Sequence, residues 1–112
     1  MKKLATILLF AVCALPAAAA SETFKDVPVV DANCHSKVAA NPDAHTKMCA
    51  LQCAASGYGI ITSDGKYLKF DAKGNKEVLA ELKASDKKDH LRVNVTGDVD
   101  GDTLKVSSVK LI

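Results

Sequence analysis

Residues 58–70 read Tyr58-Gly59-Ile60-Ile61-Thr62-Ser63-Asp64-Gly65-Lys66-Tyr67-Leu68-Lys69-Phe70. Two short β-prone runs, 58–62 and 66–70, flank Ser63-Asp64-Gly65. Asp-Gly supplies the backbone freedom of a tight turn, so the stretch predicts a β-hairpin. Downstream, 71–74 turns the chain and Asn75 caps a helix over 76–84, with Val78, Leu79 and Leu82 on its apolar side. Lys87-Lys88-Asp89 reads as a solvated loop. Leu91, Val93 and Val95 then alternate with polar residues, which predicts a half-buried strand over 90–96. Residues 103–112 form another strand, with Leu104, Val106, Val109 and Leu111 as its apolar positions. The apolar phase shifts at Ser107-Ser108, where a bulge is expected.

Upstream of the hairpin, 24–30 reads as a first strand, with Pro28 marking an edge or a bulge. Asn41-Pro42-Asp43 is a helix start: Asn caps, Pro suits the first helical position, and Asp complements the dipole. Gly57 is a stop. Between them Ala44, Met48, Leu51 and Ala55 make a narrow apolar stripe, which predicts one helix over 42–55. The order is strand, helix, strand, strand, helix, strand, strand. This predicts a mainly β, α+β chain: an OB-like five-stranded barrel with the helix 42–55 inserted between strands 1 and 2.

The first twenty residues are read as a segment outside that fold. Lys2 and Lys3 precede an apolar run from Leu4 to Leu15, and Ala18-Ala19-Ala20 before Ser21 has the form of an export cleavage site. Cys13 is expected to leave with this signal peptide. Residues 21–112 then form one small domain, expected in the periplasm or secreted. Two of the 15 basic residues lie in the signal, and the thirteen that remain balance 13 acidic ones. A neutral chain has no electrostatic pull on nucleic acid or an anionic membrane surface. No other segment is apolar enough to span a bilayer.

The chemistry concentrates in Cys34, His45, Cys49 and Cys53. Export places these thiols where neighbours oxidise unless a metal or a reductase protects them, and three cysteines after the signal is an odd number. His45-x3-Cys49-x3-Cys53 lays one imidazole and two thiols along one face of a helix. Residues 45 and 53 would lie about 12 Å apart along a straight helix, too far for one ion to join both. One helix therefore offers two ligands at a time, with Cys34 as the third and His35 as a further donor. Thiolate with imidazole suits Zn²⁺ or Cu⁺. The sequence-level metal site is thus Cys34, Cys49 and Cys53 as ligands, with His45 as a fourth ligand or as a group supporting them, and with metal handling as the role.

Two other readings use the same residues. A structural disulfide from Cys34 to Cys49 or Cys53 would staple a small binding module whose barrel face meets a protein or glycan partner. Thiol–disulfide redox chemistry is the third reading, although Cys-x3-Cys replaces the usual Cys-x2-Cys at a helix start. Covalent haem attachment is disfavoured because Asp31 stands where Cys-x2-Cys-His needs a cysteine.

The acidic loop around Gly101 does not complete an EF-hand, since the twelfth position from Asp98 is Val109 and not a glutamate. It reads as a hairpin turn. Only Phe24, Tyr58, Tyr67 and Phe70 are aromatic after the signal, too few for a base-stacking platform.

Asp31-x2-Cys34, His45-x3-Cys49-Ala50-x2-Cys53-x3-Gly57 and Asp64-Gly65-Lys66 together resemble a loose group of small exported bacterial proteins. These look like OB-like domains with a Cys/His-bearing helical insertion. The resemblance covers most of 27–112. It implies the fold and secretion rather than an activity, and it implies that Cys34, His45, Cys49 and Cys53 belong to one site.

Overall fold

The computed structural model describes residues 21–112. The expected signal peptide, with its expected cleavage site and Cys13, lies outside the described residues. Five strands close into a barrel in the order β1-β2-β3-β5-β4. They are β1 Ser21–Asp31, β2 Tyr58–Ile61, β3 Tyr67–Phe70, β4 Arg92–Asp100 and β5 Thr103–Leu111. All neighbouring pairs are antiparallel except β3 with β5, which is parallel. The architecture is consistent with an OB-like α+β fold.

β1 closes the barrel because it pairs on both sides. Its first part runs along β4 and its last residues, Val29 to Asp31, run along β2. The switch needs a bend, and the register shifts between Phe24 and Val27, where Asp26 takes φ 52°. The irregularity announced by Pro28 therefore falls just before it. The second expected bulge is also present: Thr96 faces Ser108 while Gly97 faces Val106, which leaves Ser107 unpaired.

Alternation on these strands fills the barrel. Val29, Ile60, Leu68, Phe70, Val93, Val95, Leu104 and Val106 are all buried. Three helices accompany the strands: α1 His35–Val38, α2 Lys47–Gln52 and α3 Ala72–Ala84. Val78 and Leu82 of α3 join the barrel core, as their spacing predicts, and Leu79 packs at its margin. This helix begins four residues earlier than expected. Asp71, not Asn75, caps it, accepting the Gly74 N–H at 3.0 Å. Asn75 instead accepts the Tyr58 N–H at 2.7 Å and so ties α3 to the start of β2.

The single helix expected over 42–55 is not formed. A 3-10 turn, Pro42–Ala44, is followed by extended backbone at His45 (ψ 127°) and Thr46 (ψ 154°). Thr46 then caps α2 by accepting the Cys49 N–H at 3.2 Å. A second 3-10 turn, Ala54–Ser56, ends at Gly57 with φ 80°. Restarting the helix at Thr46 turns its buried face. Ala50 points inward, Leu51 packs at the margin, and Met48 of the expected apolar stripe is 70% exposed.

Candidate metal centre

Asp31 ends β1, and it is the residue the whole site is built around. Val29, Val30 and Asp31 are all buried, so the strand carries its carboxylate out of solvent at 0% exposure. A buried carboxylate must be matched by donors. The chain turns at once after Asp31, and the Cys34 N–H donates to Asp31 Oδ2 at 3.0 Å. His45 Nε2 meets Oδ1 at 2.6 Å, and His45 is itself buried. This long-range contact accounts for the broken helix: His45 leaves the helical path to face Asp31.

Two other contacts hold the pieces in place. Arg92 of β4 grips Asp43 with a fork, Nε to Oδ1 at 2.9 Å and Nη2 to Oδ2 at 3.0 Å, while the His90 N–H donates to the Asp43 carbonyl. Asp43 thus anchors the segment just before His45 to the barrel and does not cap a longer helix. The Tyr58 hydroxyl donates to the Ala50 carbonyl at 2.7 Å, fixing α2 over β2. Burial, with Asp31 and Cys53 nearby, pushes that hydroxyl's pKa up to about 12, so it remains a donor.

The turn after β1 is stitched to the segment after α2. The Ala32 N–H donates to the Gly57 carbonyl at 2.9 Å, and the Asn33 N–H donates to Ser56 Oγ at 3.3 Å. This pairing brings Cys34 and Cys53 together beside Asp31. One oxygen of Asp31 and the two sulfurs all lie within 4.8 Å of one another. Both thiols are half-buried. The Asn33 side-chain amide donates to Cys53 Sγ at 3.6 Å. Burial, followed by the Asp31 carboxylate and then Cys53, raises the Cys34 pKa to about 11. A bound cation would reverse that penalty, because metal ligation deprotonates a thiol.

The four residues expected from the sequence are placed differently from one another. Cys34 and Cys53 converge. His45 reaches the site only through Asp31. Cys49 is exposed on α2 and outside the group. His35 does not face the cluster as a donor: its Nδ1 meets the Ala32 carbonyl at 2.9 Å, and its ring stacks on Tyr67 at 4.1 Å between centroids. Asp31 is the member that sequence reasoning missed as a ligand. Its signal was an acid closing an apolar run, Val29-Val30-Asp31, three residues before a cysteine.

No protein-family model, curated protein or solved structure matches this chain. Among the described residues no helix is long and apolar enough to cross a membrane.

Proposed function

We propose that this chain is a small exported protein that holds a thiophilic metal ion through Asp31, Cys34 and Cys53, and that its role is metal handling rather than catalysis. The observation that carries this reading is the convergence of two sulfurs and a buried carboxylate within 4.8 Å. Two thiolates with one carboxylate form a donor set suited to Zn²⁺, with Cu⁺ the alternative for a purely sulfur-bound ion. Around a tetrahedral ion with bonds of about 2.0–2.3 Å, donor atoms sit about 3.3–3.8 Å apart, so a group held within 4.8 Å has little distance left to close. Three protein donors leave a fourth position for water or for a donor from a partner protein in the periplasm.

His45 acts here as the group that orients Asp31, since a ligating carboxylate is itself held in place by hydrogen bonds. Cys49 stands one helical turn before Cys53 and is the thiol that a transfer partner would meet first. The helical segment between β1 and β2 is, in this reading, an insertion into an OB-like barrel.

Titrating the reduced protein with Zn²⁺ against a chromophoric chelator tests the reading. One equivalent binds in the wild type. Cys34→Ser and Cys53→Ser each lose at least tenfold in affinity, and Asp31→Asn loses about 10–100-fold. Unchanged affinity in Cys53→Ser would contradict it. The competing reading, a stapled module whose barrel surface binds a protein or glycan, draws on the same sulfur pair: Cys34 and Cys53 are close enough to be joined.

A further inference from the structure

The Cys34 and Cys53 sulfurs support a second chemistry that needs no metal. Their backbones are already tied together by the Ala32–Gly57 and Asn33–Ser56 hydrogen bonds. The two sulfurs lie within 4.8 Å of each other, which places the pair for a disulfide once the sulfurs close on one another. The Asn33 side-chain amide donates to the Cys53 sulfur at 3.6 Å, and both thiols are half-buried rather than sealed in the core, so a second sulfur compound can reach them.

We infer that Cys34 and Cys53 form a thiol–disulfide couple that takes a disulfide as substrate. This goes beyond the metal reading and does not rest on it. In the first step the sulfur of one member of the pair bonds to one sulfur of the substrate, the substrate S–S bond breaks, and the departing thiolate takes that member's proton. In the second step the sulfur of the other member bonds to the first and the mixed disulfide breaks. The second departing thiolate takes the other member's proton. The protein loses two hydrogens and the substrate disulfide becomes two thiols. Cys49, exposed and outside the pair, is a bystander.

The test uses the reduced protein with a strong chelator present and oxidised glutathione as the probe. Intact mass should fall by two hydrogens, peptide mapping should link Cys34 to Cys53, and Cys49 should remain alkylatable. Dithiothreitol should restore the thiols. Cys34→Ser and Cys53→Ser should each accumulate a glutathione adduct on the remaining member of the pair at about ten times the wild-type level, because the resolving step is gone. Cys49→Ser should form the same link at a rate within about twofold of wild type, and it serves as the variant least able to disturb the fold. A link that includes Cys49, an adduct confined to Cys49 in Cys34→Ser, or no link at all would overturn the inference.

Discussion

Asp31 is fully buried and accepts from both the Cys34 backbone and His45. Removing the carboxylate leaves those donors without a partner, and an unsatisfied buried group costs more than the bond it made was worth. Asp31→Ala should therefore cost about 2–3 kcal/mol in urea unfolding. Asp31→Asn should cost less while still weakening metal binding; equal stability in Asp31→Ala and wild type would contradict the packing described. Cys34 and Cys53 were legible as site residues because thiols carry metal-binding and redox chemistry that few other side chains offer. Asp31 was not legible as a ligand. An acid at the end of a strand is ordinarily solvated, and only the tertiary contact with His45, fourteen residues on, shows otherwise.

At the level of elements, the hairpin, the strand β5 and the α3 core face follow from period-two and 3.6-residue patterning, whereas the parallel pairing of β5 with β3 does not. The segment from 42 to 57 did not follow. Asn41-Pro42-Asp43 does start a helical turn, but local capping signals compete with a long-range pair, and the pair wins at His45. Thr46 then restarts the helix, and the apolar phase read from Met48 is lost. Two element-scale outcomes follow. Asp71→Ala should destabilise by about 1 kcal/mol, since it removes the α3 cap and a contact to the Val106 N–H. The Arg92 fork holds the Asp43 carboxyl below the usual carboxylate range. With the folded-state pKa lowered, the stability this contact adds is present above the unfolded value of about 3.9 and is lost as pH falls through the folded value. Stability measured from pH 7 down to pH 2 should therefore fall less steeply in Asp43→Asn than in wild type. Parallel curves would contradict the role given to the fork.

Across the whole molecule, the barrel and the site divide the labour. The core runs from β1 through β5 and α3, while the Asp31, Cys34 and Cys53 group sits where the end of β1 meets the segment after α2. A close approach guards that junction: a Cβ at Gly59 would overlap the Leu68 carbonyl and the Tyr67 ring on which His35 stacks. Gly59→Ala should cost about 1–3 kcal/mol by forcing β2 from β3. Cys53→Ser, by contrast, should keep the barrel and its circular dichroism. An ion that binds only the folded chain stabilises it by mass action, by about 2.7 kcal/mol at a hundredfold excess over Kd. Thermal unfolding with and without Zn²⁺ should show that gain in wild type and not in Cys53→Ser.

The most direct test of the Asp31–Cys34–Cys53 centre is native mass spectrometry of the chain purified without metal-affinity resin. The account predicts one metal ion per chain, retained in Cys49→Ser and lost in Cys34→Ser and Cys53→Ser. An ion retained in both of the latter variants, or no ion bound by fully reduced wild type even after Zn²⁺ or Cu⁺ is added, would contradict it.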